Sequence, residues 1–206
     1  MKKPEVLPLF STPVYRSSID YELDIDLEKI DYERYKADNG WGSTNKEILL
    51  SRQFHYLKKK SEHLINDYLF DVLRFSPIKI KHLRSWINLH NPGDYTPKHR
   101  HINSFLSGIL YLKAPPNGGG INFVHPDCLP TFKTTTLVPN IEEFNIFNSS
   151  QWGYHDLVDN DIFLFPSHVD HFASKNEGEE DRYSVVFNYF LKGSFGDKET
   201  IEYLEV

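Results

Sequence analysis

Three histidines and one arginine have types and spacing that could do chemistry. His99-Arg100-His101 follows Pro97, which disfavours a helix interior there. In an extended segment, residues i and i+2 face the same side with Cα atoms roughly 6.6 Å apart, so two imidazoles can grip one cation. His171 lies beyond Phe163-Leu164-Phe165-Pro166-Ser167, at the end of another expected strand. Two ligands on one strand and a third from a distant strand leave one face of an octahedral ion open, the arrangement typical of non-haem Fe(II). Chance is the rival explanation. The chain has ten histidines, and lone histidines commonly decorate surfaces or satisfy hydrogen bonds in cores. His168 sits three residues before His171, which in an extended segment turns it to the opposite face, near the rim. His55, His63, His82, His90, His125 and His155 read as surface or supporting residues.

Arg182 comes eleven positions after His171, across a turn at 175–180. A hairpin-like return near Asn176-Glu177 would set positions 171 and 182 at the same height in the fold. Arg182 heads Arg182-Tyr183-Ser184-Val185-Val186-Phe187-Asn188, and on a strand Ser184 and Asn188 share its face. An arginine facing inward from so apolar a strand must find an anion, because an unpaired buried charge is costly. A dicarboxylate that chelates the metal at one end and meets the guanidinium fork at the other would serve. A structural ion pair with a nearby acid would serve equally well.

The elements that must position these groups are mostly β. Tyr, Phe and Trp make up 15% of the chain, which suits strands. Strands are expected at 78–81, 85–89, 104–112, 120–125, 133–138, 143–147, 161–165 and 182–191, separated by turn chemistry such as Asn91-Pro92-Gly93-Asp94 and Pro115-Pro116-Asn117-Gly118-Gly119-Gly120. Short strands without intervening helices point to a sandwich or small barrel. Ahead of them, 5–18 reads as extended and 20–37 as an amphipathic helix closed by Asn39-Gly40. The stretch 51–75 reads as a second helix, with Phe54, Leu57, Leu64, Ile65, Tyr68, Leu69, Val72 and Leu73 at helical spacing.

The 206 residues suit a single domain, with 1–77 packing on a barrel core of 78–192 and a tail at 193–206. Hydrophobic residues are 39% and charged residues 25%, an ordinary globular balance. The net charge of −6 argues against nucleic acid, whose binding needs clustered Lys and Arg. No apolar run approaches a membrane span, and the single Cys128 fits a reducing compartment, so the expected location is the cytoplasm.

Five blocks carry a family resemblance. They are Leu9-Phe10-Ser11-Thr12-Pro13-Val14-Tyr15; Ser85-Trp86-Ile87-Asn88; Pro97-Lys98-His99-Arg100-His101 with Leu106-Ser107-Gly108-Ile109-Leu110-Tyr111-Leu112; Ile162-Phe163-Leu164-Phe165-Pro166-Ser167 with His171; and Arg182 to Asn188. Together they resemble the 2OG-Fe(II) oxygenase family of bacteria and their phages, a group of 2-oxoglutarate/Fe(II)-dependent dioxygenases largely without assigned substrates. The resemblance implies a mainly β chain with flanking α-helices, folded as a double-stranded β-helix (jelly-roll, cupin-like) barrel. It implies Fe(II), 2-oxoglutarate as cosubstrate, and O2. It places His99 and His171 as metal ligands and Arg182 on the distal carboxylate of 2-oxoglutarate. Ser184 would be its hydrogen-bonding helper, and Asn88 and Tyr111 further contacts. The wider superfamily has a carboxylate where this chain has His101, whereas this family commonly shows His-x-His. Three neutral imidazoles would leave the ion at about +2 rather than about +1. The alternative is a shell completed by Asp94, Asp170 or an exogenous anion.

The implied reaction hydroxylates a C–H bond of a small molecule or a protein side chain and releases succinate and CO2. Two rivals fit the same residues: a three-histidine cupin-type dioxygenase without 2-oxoglutarate, and a non-catalytic β-barrel binding module. The expected partner is a small-molecule or peptide substrate, with no membrane and no nucleic acid, and with a homodimer left open.

Overall fold

The central strands are buried on both faces, because each face of their sheet carries its own apolar cluster. The computed structural model describes residues 5, 7–8, 11–22, 24–36, 39–125, 140–199 and 201–206. Cys128, Leu23, the strand expected at 133–138, and Leu9-Phe10 lie outside the described residues. The strands are β1 (Tyr15–Ser18), β2 (Tyr32–Arg34), β3 (Trp41–Ser43), β4 (Lys79–His90), β5 (Thr96–His99), β6 (Leu106–Lys113), β7 (Ile121–Val124), β8 (Gln151–Tyr154), β9 (Asp161–Pro166), β10 (His171–Ala173), β11 (Arg182–Lys192), β12 (Ser194–Phe195) and β13 (Leu204–Glu205). The α-helix, α1, spans His55–Asn66.

Seven strands form a large antiparallel sheet in the order β1-β9-β6-β11-β4-β3-β2. Four form a smaller sheet, β5-β10-β7-β8, and β12 pairs with β13 in the tail. The two main sheets do not close into one continuous barrel. On one face of the large sheet, Ile87, Leu110, Leu112, Ile162, Leu164, Val185 and Phe187 pack with Phe54, Leu57, Ile65 and Leu69 from the helical segment. On the other face, Ile109, Tyr111, Phe163, Phe165 and Val186 meet Ile121 and Phe123 of the small sheet. Each fully buried Leu, Ile or Phe contributes on the order of 1.5–3 kcal/mol. Gly108 permits the close packing at the centre of β6, because a Cβ there would lie 2.1 Å from the Phe187 ring.

The expected helix at 51–75 is present in three parts: a 3-10 turn at Arg52–Phe54, α1, and a π-helical turn at Asp67–Val72. Arg74, at φ +57, and Pro77 stop it. Other expectations need correction. Only one α-helix occurs among the described residues, so the flanking helices expected in the plural reduce to α1. The stretch 20–37 is not a helix but a 3-10 turn at Leu27–Lys29 followed by β2. Its backbone is satisfied by pairing with β3, and Ile25 and Leu27 bury themselves against the large sheet. Residues 143–147 alternate like a strand but form turns. The Asn145 side chain accepts from the Phe147 amide at 2.8 Å, and that of Asn148 accepts from the Asn145 amide at 2.8 Å, replacing ladder bonds. β8 was not foreseen. Positions 171 and 182 do not face each other in a hairpin, because β10 belongs to the small sheet and β11 to the large one. Between them the buried Asn176 side chain donates to the carbonyls of His90 (2.9 Å) and Glu180 (2.8 Å), fixing the crossover that delivers Arg182.

Candidate active site

The three histidines converge from two directions. His171 on β10 is the direct cross-strand partner of His99 on β5, with ring centroids 4.3 Å apart. His101 lies two residues beyond the end of β5, not on the strand as its spacing suggested. Its amide donates to the Ser167 carbonyl at 2.9 Å, which swings the ring in from the side. Its ring centroid is 5.2 Å from each of the other two. One ring nitrogen from each histidine falls within 4.8 Å of the others. His168 is not part of this cluster; it is exposed at the turn before β10.

Hydrogen bonds fix which nitrogen each ring presents. Nδ1–H of His99 donates to the Pro97 carbonyl (2.9 Å), and Nδ1–H of His171 donates to that of Val169 (2.9 Å). Nδ1–H of His101 donates to Asn188 Oδ1 (2.6 Å), which also accepts from the Ser107 hydroxyl (2.7 Å). In all three rings the free lone pair is therefore on Nε2, as metal ligation through an oriented imidazole requires. Burial, with the neighbouring His99, pushes the His171 imidazole down to about 3, and burial likewise lowers His101. Both are neutral at neutral pH, the state that binds metal. Asp170 does not join the cluster; its carboxylate is held by Arg100 at 2.7 and 3.0 Å. Asp94 accepts from the Asn91 amide at 3.1 Å and stands apart as well.

Asn188 was read only as sharing the Arg182 face. Its contact with His101 makes it a positioning residue. Asn188→Leu leaves the His101 N–H only the Ser107 hydroxyl, 2.9 Å away, and we expect metal affinity to fall about 10-fold, read by calorimetric titration with Mn(II).

Arg182 is the second candidate group. It is 1% exposed, and no carboxylate pairs with it among the described residues. Nη1 donates to the carbonyls of Gly118 and, at 3.2 Å, Ser174. Nη2 is buried without a partner, as is the hydroxyl of Tyr111. Tyr111 is pushed up to about 12, mainly by burial, with Arg182 opposing. The turn at Gly118–Gly120 cradles the guanidinium: Gly119 has φ +72, and a Cβ there would lie 2.9 Å from Nη1. Two orphaned buried donors beside each other are what an incoming carboxylate would satisfy. Tyr111, Ser184 and Asn88 occupy one register across β6, β11 and β4, so they share the inward face. Asn88 Oδ1 accepts from the hydroxyl of Tyr35 and from Trp86 Nε1, both at 2.7 Å. A cavity of about 580 Å³ reaches this face at Asn88 and is lined as well by the three histidines, Trp86 and Asn188.

His90 is not a surface residue but 1% exposed, and it lies across from Arg182 on β4. Its Nε2 is 2.9 Å from Thr96 Oγ1, and burial with the Arg182 charge holds it down at about 3. Between pH 6.5 and 3 the unfolded chain binds a proton that folded His90 refuses, so stability falls with pH over that window. The loss from this residue is on the order of 4 kcal/mol at its lower end. Urea midpoints of the apo protein followed from pH 7 to 4 will drop less steeply in His90→Gln than in wild type.

Comparison with known proteins bears on the family and the fold. Residues 84–188, half of the chain, match the family model of the 2OG-Fe(II) oxygenases. No curated protein matches. Similar solved structures include a Pseudomonas putida prolyl-4-hydroxylase, 13% identical with a TM-score of 0.55, covering 89% of this chain and 95% of that one. A 2OG-Fe(II) oxygenase from Burkholderia pseudomallei is 12% identical with a TM-score of 0.53, over 79% of this chain and 73% of that one. HygX from Streptomyces hygroscopicus, solved with nickel and 2-oxoglutarate bound, is 13% identical with a TM-score of 0.51, over 87% and 84%.

The two facing sheets are thus a double-stranded β-helix, and the enzyme is a dioxygenase. The chain belongs to the 2OG-Fe(II) oxygenase family, whose cofactor is Fe(II) and whose cosubstrate is 2-oxoglutarate. The donor set fits both: three converging imidazole nitrogens for the ion, and a buried guanidinium with an unpartnered Nη2 for the dicarboxylate. No helix among the described residues is long and apolar enough to cross a membrane.

Proposed function

We propose that His99, His101 and His171 hold the iron through Nε2 and that Arg182 holds the distal carboxylate of 2-oxoglutarate. The enzyme then hydroxylates an unactivated C–H bond of a small molecule or protein side chain. Iron with 2-oxoglutarate and O2 bound supplies oxidative decarboxylation to succinate and CO2, and with it an oxidant able to attack such a bond. The protein's part is positional. Pro97, Val169 and Asn188 hold the three imidazole protons so that the lone pairs converge. Tyr111 and Ser184 stand beside Arg182 to share the carboxylate, and Asn88 stays engaged with Tyr35 and Trp86 on the cavity wall. Phe165 and Trp86 give the cavity an aromatic wall beside the histidines.

One observation carries this reading: a fully buried guanidinium with an unpartnered Nη2 on the same sheet face as Asn188, which supports His101. A three-histidine dioxygenase working without 2-oxoglutarate would have no use for that charge. The test is the visible charge-transfer band of the anaerobic Fe(II)–2-oxoglutarate complex, followed by succinate release on admitting O2. We expect both; an Fe(II)-loaded protein that shows neither on adding 2-oxoglutarate contradicts the assignment.

A further inference from the structure

The cavity has a charge pattern opposite to that of the chain around it. The protein carries 29 acidic and 23 basic residues, yet Lys46, Arg84 and Arg100 line the cavity and no aspartate or glutamate does. Two of these cations are neutralised from outside: Lys46 by Glu33 at 2.9 Å, and Arg100 by Asp170. Arg84 is exposed and makes no ion pair among the described residues. It is the cross-strand neighbour of Asn188, the residue that holds His101. Arg84 therefore stands about one strand spacing, roughly 5 Å, from the support of the metal cluster.

Arg84 cannot share the cosubstrate with Arg182. Arg84 pairs with position 188, six residues along β11 from Arg182, a rise of roughly 20 Å. Arg84 is level with Asn188 and so with His101, and Arg182 lies toward the start of β11. Beside Asn188, part of the wall near the cluster is apolar. Trp86, its Nε1 already engaged by Asn88, lies 6.3 Å from His101 by ring centroids, with Ile109 and Val186 beside it. Ile102, 90% exposed, extends this wall at the rim.

We propose that Arg84 is the substrate's anion anchor, and that the enzyme takes a small molecule with a carboxylate or phosphate group on an apolar body. The anion pairs with Arg84 at the mouth, and the body lies along Trp86 and Val186 with its C–H bonds toward the histidines. A long acidic polymer is disfavoured, since the net charge of −6 repels it while the cavity offers one free cation among the described residues.

This inference rests on the oxygenase assignment, and the experiment separates the two. Enzyme loaded anaerobically with Fe(II) and 2-oxoglutarate is titrated calorimetrically with 3-phenylpropionate, phenyl phosphate and the neutral 3-phenylpropanamide, while the charge-transfer band is recorded. We expect at least one anion to bind about tenfold or more tighter than the amide, with the band retained. The preferred anion then tells carboxylate from phosphate. Arg84→Gln removes the preference, and Arg84→Lys, which keeps the charge without the fork, retains part of it. Equal affinity for anions and amide, failure of wild type to bind any of the three, an undiminished preference in Arg84→Gln, or displacement of 2-oxoglutarate by the anion each overturns the proposal. If wild type never develops the band, the oxygenase assignment itself falls, and this inference with it.

Discussion

Arg182→Met will no longer bind 2-oxoglutarate, while remaining a folded protein. The guanidinium is the cation that waits, buried and without a carboxylate, beside the Tyr111 hydroxyl. Burial lowers its pKa, the signature of a charge held at a cost. An arriving carboxylate relieves that cost and makes charge-assisted hydrogen bonds in a dry setting, so its loss is worth about 3 kcal/mol or more, at least about a hundredfold in affinity. In wild type, 2-oxoglutarate at about 100 times its Kd raises the unfolding free energy by ~2.7 kcal/mol. In Arg182→Met, which fills a similar volume without charge, that ligand-dependent rise disappears. Methionine gives up the bonds to Gly118 and Ser174 but also removes a buried charge, so the unliganded variant keeps a cooperative transition. Arg182→Lys keeps a point charge without the fork and falls between. Thermal unfolding with and without 2-oxoglutarate, read by circular dichroism, checks all three.

The second large effect concerns His101. His101→Ala will lose Fe(II) at least about a hundredfold, as His171→Ala will, because each removes a donor from a three-donor set. Asp170→Asn will keep it. Asp170 is the nearest rival in sequence for an anionic third ligand, but Arg100 grips both of its oxygens and turns it from the cluster. Anaerobic Fe(II) titration of the three variants, by calorimetry, checks the ordering. Retention of iron in His101→Ala with loss in Asp170→Asn would exchange their roles.

Much of the candidate site is legible in the sequence because the proposed chemistry depends on a few residue types at fixed spacing. His99, His171 and Arg182 stand out even without neighbours, and the β-rich pattern from 78 onward requires a two-sheet body. Two things were not legible. One is direction: nothing in Pro97-Lys98-His99-Arg100-His101 says that the strand ends at His99 and that the Ser167 carbonyl redirects His101. The other is partnership. Asn188 looks like any polar residue on a strand, and only the fold brings it within 2.6 Å of a histidine 87 positions away. Glu143-Phe144-Asn145-Ile146-Phe147 shows the opposite failure, a strand-like alternation overruled by asparagine side chains that bond their own backbone. Tyr35, read as part of a helix, reaches Asn88 because β2 runs at the sheet edge instead. Asn160, at φ +71, takes the left-handed turn before β9 that asparagine tolerates without a glycine.

The account turns on one convergence, and anomalous diffraction observes it directly. Crystals grown anaerobically with Fe(II) and 2-oxoglutarate, measured on both sides of the iron edge, should give one strong peak bonded to Nε2 of His99, His101 and His171. Density for a five-carbon diacid should run from that peak to the Arg182 guanidinium. A peak that leaves any of the three histidines unbonded, or a diacid whose far carboxylate lies away from Arg182, would contradict it.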